Sequence, residues 1–266
     1  MKDKRRDLFF LITMPETAVF ILSFTLYVIL TFLYHYVKSY NIGAAGYLDA
    51  GELFAFNENA PLWDYFSLIL PLLCIMPSVG LYDYILRNNV ISIIYGKESD
   101  YIRKITKTLS LLIFAIVIIE CLFSLSLNGI RFTSTGITND DFKLSMAYVK
   151  NMGNGDKYAM CRLHMYHPFL YNLIYSVLFS FLCAVLSYAT TSFLSSVKGA
   201  KNYVVYMIGM VVSFTVYKVY EICDINLWHF FIVSQKKYEN AALSIGFLII
   251  LLLLPGIIGI VNEKTV

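Results

Sequence analysis

Two ionisable residues interrupt apolar runs of this sequence: Glu120 within 108–130, and Lys218 at the end of 202–217. Charged groups inside a stretch long enough to cross a bilayer are costly, and they often mark proton, ion or ligand paths. At similar depth on two helices, Glu120 and Lys218 would pair and relieve each other's desolvation. Taken separately, Lys218 snorkels to an interface and Glu120 is a shallow, hydrated or protonated carboxyl. A second pattern is Ala184, Ser187, Thr191 and Ser195, which share one helical face. Small hydroxyl-bearing faces either let helices approach closely in lipid or line a translocation path. His164 and His167 share a face just before Pro168. A metal site there would need at least one further ligand, such as Cys161, so polar residues at a helix entry near the outer interface is the plainer reading. Asp83 and Arg87 have the spacing of a structural ion pair.

Several chemistries are missing from the sequence. Gly153-Asn154-Gly155-Asp156-Lys157 lacks the spacing of a phosphate-binding loop, so the chain does not bind ATP by that mechanism. HExxH, GxSxG and CxxC do not occur. No catalytic, cofactor-binding or metal-ligating residue is assigned, and the chain is expected not to be an enzyme.

The elements that would position these residues follow from composition. The 266 residues are 58% hydrophobic and 15% charged, with mean hydropathy +0.66. An ordinary soluble domain is roughly 25% charged. Disorder is excluded, and the Lys and Arg residues form no single strip of the kind a nucleic-acid binder needs. Crossing the hydrocarbon core takes about 20 apolar residues in a helix. The charge-poor runs predict an all-α, polytopic membrane protein of one transmembrane domain, 1–266. Its six transmembrane helices span approximately 17–38, 64–86, 107–128, 168–196, 202–222 and 241–262. The first run is too long for a signal-peptide core and ends in Tyr34-His35-Tyr36, which suits an interfacial anchor.

Basic residues set the direction. Lys2, Lys4, Arg5 and Arg6 precede the first span. Arg87, Lys97, Arg103, Lys104 and Lys107 lie between spans 2 and 3, with Lys198, Lys201 and Lys264 later on the same side. Segment 39–62 has no Lys or Arg and carries Asp49, Glu52 and Glu58, reading as an irregular acidic cap. Segment 128–167 has basic residues but is long, so it weighs less. Both termini are expected in the cytoplasm.

The connection between spans 2 and 3 is the most informative stretch. Ile91 and Ile94, then Ile102 and Ile105, recur at helical spacing. Gly96 breaks the two pieces, and Ser99 is placed to cap the second with Asp100 in its first turn. A short interfacial helix is expected here, turning into span 3. By itself, a basic amphipathic segment of this kind also fits lipid headgroups.

Arg87, the apolar piece with Ile91 and Ile94, the turn Tyr95-Gly96-Lys97-Glu98-Ser99, and Tyr101-Ile102-Arg103-Lys104 leading into a span make a recognisable sequence. It resembles the membrane subunit of ATP-binding-cassette exporters, specifically the type-2 permease class of bacterial drug, peptide and polysaccharide exporters. That resemblance implies that the loop is a cytoplasmic coupling helix docking on a separate ATPase subunit. It also implies six spans, inner termini, an amphipathic N-terminal segment, which 1–12 fits, and short re-entrant helices between spans 5 and 6, which 224–231 fits. Segment 128–167 is longer than in the plainest members.

The implied function is a half-transporter in a bacterial plasma membrane. Its partners would be a cytoplasmic ATP-binding subunit, a second permease copy or paralogue, and membrane lipid, with no nucleic acid. ATP and Mg would bind the partner subunit, with no cofactor in this chain. No span carries the charge density of an ion path, so an amphipathic or hydrophobic substrate is expected, with a peptide as the best guess. The competing readings are a non-transporting immunity or sensor protein and a membrane-embedded processing enzyme.

Cys74, Cys121 and Cys183 fall in predicted spans as small packing residues. Cys161 and Cys223 fall near the expected outer, oxidising side, and are the pair that could form a disulfide. Two free thiols are the alternative. Mass spectrometry of alkylated, non-reduced protein is expected to find Cys161 and Cys223 joined and unlabelled. Alkylation of both would rule the bridge out.

Overall fold

The computed structural model describes residues 2–42, 54–56, 60–87, 98–131, 168–196, 206–207 and 210–211. Five helices are described from end to end. They are α1 (Lys2–Thr13), α2 (Pro15–Ile42), α3 (Trp63–Arg87), α4 (Glu98–Arg131) and α5 (Pro168–Ser196).

The break between α1 and α2 is locally encoded. Thr13 Oγ1 lies 3.0 Å from the carbonyls of both Phe9 and Phe10, against the last turn of α1. Pro15 then occupies the first position of α2, where its missing N–H costs nothing. The Met14 carbonyl accepts from Ala18 N at 3.0 Å, the first bond of the new helix. Glu16 puts a carboxylate in that first turn, on the favourable side of the helix dipole. α5 also opens on a proline, Pro168.

α2, α3, α4 and α5 are each long and apolar enough to cross a membrane, over Pro15–Val37, Trp63–Tyr84, Lys104–Gly129 and Asn172–Thr191. The chain is therefore membrane-embedded. Along α2, Val19, Leu22, Leu26, Leu30, Leu33 and Val37 are exposed, a stripe suited to lipid, while Phe20, Phe24, Tyr27 and Val28 are buried. One third of the α2 window is buried against two thirds of the α3 window, so α3 is the more central helix. α5 packs most extensively on α4 and then on α3, and α2 lies against α3 and α4. α3 stays continuous through Pro71 and Pro77, both buried, although each removes a helix hydrogen bond.

α1 rests against α2 and α4, with Leu11 buried and Leu8, Phe9 and Ile12 exposed. Its Phe10 ring lies 4.0 Å from that of Tyr84, near the end of α3. The N-terminal segment that the resemblance implies is a separate helix here. It gathers with the end of α3 and the start of α4 at one end of the bundle.

Two expectations are corrected. The 98–105 stretch is not a separate interfacial piece that turns into a span. It forms the first turns of α4, which runs unbroken from Glu98, because no helix-breaking residue separates it from the apolar run that follows. Ser99 accordingly lies inside the first turn rather than capping it. The second correction concerns 39–62. Phe54, Ala55 and Phe56 are buried in the core, so this stretch is not only an acidic cap. The fifth and sixth spans lie outside the described residues, apart from helical positions at 206–207 and 210–211, as do segments 128–167 (beyond Arg131 and before Pro168) and 224–231.

α2 and α3 meet closely at Gly80. A Cβ there would overlap the Glu16 side chain, including its carboxylate. Gly80→Ala is expected to lower the unfolding temperature in detergent. Glu16→Ala should recover most of that loss, with a coupling of about 1 kcal/mol for residues in direct contact. Equal losses in both backgrounds would show that the Glu16 side chain does not limit the approach.

Candidate functional site

The centre of the bundle is aromatic. Tyr27 of α2 stacks on Phe66 of α3 with centroids 3.9 Å apart, and Phe24 meets Phe66 edge-on at 5.0 Å. Tyr175 and Phe179 of α5 stack at 5.8 Å, and Trp63 lies 6.1 Å from Phe179. Phe54 and Phe56 enter between these helices from the chain joining α2 to α3. Phe56 lies 5.5 Å from Tyr27 and 5.4 Å from Phe179, while Phe54 meets Tyr175 edge-on at 6.1 Å. Tyr27 is ten residues before Val37, so the wedge reaches roughly 15 Å along α2 at 1.5 Å per residue.

A non-helical segment at that depth brings unsatisfied peptide groups, which an apolar interior does not tolerate. Both polar groups of Ala55 are met by side chains. Its N–H donates to Ser124 Oγ at 3.1 Å, and its carbonyl accepts from the Tyr27 hydroxyl. Ser124 and Tyr27 themselves are buried.

Sequence reasoning missed this arrangement. The signal was present in Leu53-Phe54-Ala55-Phe56, a short apolar run with an aromatic pair around a small residue, bounded by Glu52 on one side and Asn57-Glu58 on the other. Its short length hid it among the glycines and acids of 39–62.

Glu120 is buried one turn along α4 from Ser124, at 7% exposure. Thr25 Oγ1 donates to Glu120 Oε1 at 2.5 Å and lies 3.0 Å from the Ile21 carbonyl. Glu120 Oε2 has no hydrogen-bond partner among the described residues. Thr25 stands near the middle of the Pro15–Val37 window, so Glu120 is deep in the bundle rather than shallow, because α4 packs alongside the centre of α2. Its proposed partner Lys218 lies outside the described residues.

The α5 stripe is a packing face where the structure describes it. Ala184, Ser187 and Thr191 are buried, Ser187 completely. Ser78 Oγ of α3 lies 3.0 Å from the Ser187 carbonyl and 2.9 Å from its hydroxyl, and Thr191 Oγ1 donates to the same carbonyl at 2.9 Å. Small side chains bring α3 and α5 together there. The side chain of Ser195, at the last turn of α5, lies outside the description.

Of the coupling-loop residues, Arg87 ends α3, and Ser99 and Tyr101 belong to the first turns of α4. Ile91, Ile94, Tyr95, Gly96 and Lys97 lie outside the described residues, as do Cys161, Cys223, His164 and His167. Cys74, Cys121 and Cys183 are free and buried. Among the described residues no group of His, Cys, Asp and Glu is arranged to hold a metal ion. Compared with known proteins, the chain matches no family model, no curated protein and no solved structure.

The Thr25–Glu120 contact yields a clear expectation. Thr25→Val leaves a buried carboxyl without its donor and should cost about 1–3 kcal/mol of stability. In a Glu120→Leu background, the same substitution should cost much less. Thermal unfolding of the four proteins in one detergent measures the difference. Additive losses would show that the contact contributes nothing.

Proposed function

We propose that this chain is the membrane half of an ATP-driven exporter of the type-2 permease class. The observation that carries this reading is the gathering of α1, the end of α3 and the start of α4 at one end of the bundle. A detached N-terminal helix, two spans, and then a basic, apolar connection entering a long third span is the order that class uses. The connection 88–97 leaves Arg87 and enters α4 at that end. A docking ATPase would find the connection and α1 on one face.

In this reading the end carrying α1 faces the cytoplasm of a bacterial cell, in keeping with its Lys and Arg content. The chain has no phosphate-binding loop, so ATP and Mg belong to the partner subunit. Closure of two ATPase subunits on ATP would push on the connection around Tyr95, Gly96 and Lys97, and α3 and α4 would carry the motion into the bundle. The described interior is filled by aromatic rings and by the α3–α5 contact, which favours a path between two such bundles, made by a second copy or a paralogue. Apolar spans suit a hydrophobic or amphipathic substrate, with a peptide as the best fit.

Single cysteines at Ile94 or Ser99, crosslinked in native membranes, should capture a nucleotide-binding subunit, and the yield should change with ATP. Crosslinks to lipid alone, or none, would refute the coupling role and favour a non-transporting immunity or sensor protein.

A further inference from the structure

We propose that Glu120 is a proton-binding site between α2 and α4, loaded at neutral pH. In the loaded form the carboxyl gives its proton to Thr25 Oγ1, and Thr25 gives its own to the Ile21 carbonyl. The site stands independently of the exporter reading, which assigns Glu120 no role.

The first support is a count of protons. Thr25 Oγ1 lies 2.5 Å from Glu120 Oε1 and 3.0 Å from the Ile21 carbonyl, and both of those atoms are acceptors while Glu120 is ionised. A threonine hydroxyl has one proton and two lone pairs, so it cannot donate to both. With the site empty, Thr25 donates to the carboxylate and the contact with Ile21 carries no proton. With a proton on Glu120, the same three atoms make two bonds without moving. The second support is Glu120 Oε2, which has no hydrogen-bond partner among the described residues, in a side chain only 7% exposed. A carboxylate spreads its charge over both oxygens, and a buried one calls for donors at each. In the neutral acid the unmet atom is an uncharged carbonyl oxygen, whose desolvation costs far less.

The third support is the lack of a described cation close enough to hold the carboxylate ionised. On α4, Lys107 and Arg131 stand thirteen and eleven residues from Glu120, roughly 16–20 Å along the helix. On α2, Glu16 and His35 stand nine and ten residues from Thr25, roughly 14–15 Å away. α5 carries no Asp, Glu, Lys, Arg or His, and α3 keeps its charges near its ends, at Asp64, Asp83 and Arg87. α1, with its Lys and Arg residues, gathers where α4 begins, roughly 30 Å before Glu120. The ionisable side chains buried deeper in these helices are Tyr27, Cys74, Cys121, Tyr175 and Cys183. All five are acids, and none supplies a positive charge.

Infrared difference spectroscopy of the full chain reads the proton directly. A maltoside detergent is used because it has no ester carbonyl to overlap. A neutral carboxylic acid absorbs above the amide bands, and a carboxylate does not. At neutral pH the wild-type minus Glu120→Gln spectrum should contain the acid band, and Lys218→Met should leave it in place. Thr25→Val should keep the band and move it to higher frequency, because the acid loses the hydroxyl to which it donates. A threonine that only filled space would leave the frequency unchanged, and that result overturns the arrangement. Carboxylate bands alone in the wild-type difference spectrum overturn the site. So does an acid band that is missing in wild type and emerges in Lys218→Met, which would show Glu120 ionised by that lysine.

If Glu120→Gln does not fold, protein made with glutamate labelled with carbon-13 in its side-chain carboxyl replaces it. The acid band should then fall in frequency with the label, and Thr25→Val in the labelled protein should move it, which assigns it to Glu120. No label-sensitive acid band at neutral pH, or one that Thr25→Val leaves unmoved, overturns the proposal.

Discussion

The backbone of Ala55 sets the most demanding constraint in this fold. A helix keeps its backbone bonds to itself, but a chain that dips between helices has to be met from outside. The Tyr27 hydroxyl donates to the carbonyl of this residue, and Ser124 Oγ accepts from its N–H. Those two atoms come from α2 and α4, so the wedge ties together helices that are distant in sequence. Around it, Phe24, Tyr27, Phe66, Tyr175 and Phe179 make a shared aromatic core from three helices. Their rings meet in stacked and edge-on arrangements, which are favourable beyond simple burial. Withdrawing the wedge would leave that core with a void.

Away from the wedge, small residues and hydroxyls hold the helices together. At α3–α5, Ser78 reaches the backbone of Ser187 directly. Thr191, Thr190, Ser180 and Ser176 each return their hydroxyl to the carbonyl four residues earlier. These bonds let polar side chains sit in an apolar interior at little cost. They also explain why α5 can be rich in serine and threonine and still pack as a span. At α2–α3, Gly80 gives room to a carboxylate, and at α2–α4, Thr25 supplies a hydrogen bond to another. Each close approach is made by a residue too small to hold the helices apart or able to satisfy what lies opposite.

This division bears on function. The end of the bundle that carries α1 is set by local sequence: a proline after Met14, a basic N-terminal segment, and a long α4 that begins at Glu98 before its apolar window starts at Lys104. The aromatic interior is set by packing. In the proposed exporter reading, the ATPase subunit would act on the first region. α3 and α4 connect the two without interruption, α3 through two buried prolines. Rigid helices spanning both regions are what would let a motion at one be felt at the other.

Apolar content and the spacing of charges were enough, by themselves, to determine the helical membrane class. Helical periodicity and bilayer thickness are local quantities, and they leave a direct mark on sequence. The one-sided face of Ala184, Ser187 and Thr191 was legible too, although only the structure shows that α3 covers it. Three features had to await tertiary structure. The depth of Glu120 depends on how α4 slides against α2, which no single helix encodes. The continuity of α4 from Glu98 depends on propagation from a long apolar helix, which absorbed a stretch that looked separate in isolation. The burial of Phe54 and Phe56 depends on partners from three helices and on a hydroxyl pair at Tyr27 and Ser124. A short aromatic run among acidic and glycine-rich neighbours looks the same in sequence whether it caps a bundle or enters it. Only the space left between the packed helices, and the polar atoms waiting there, decide which it does.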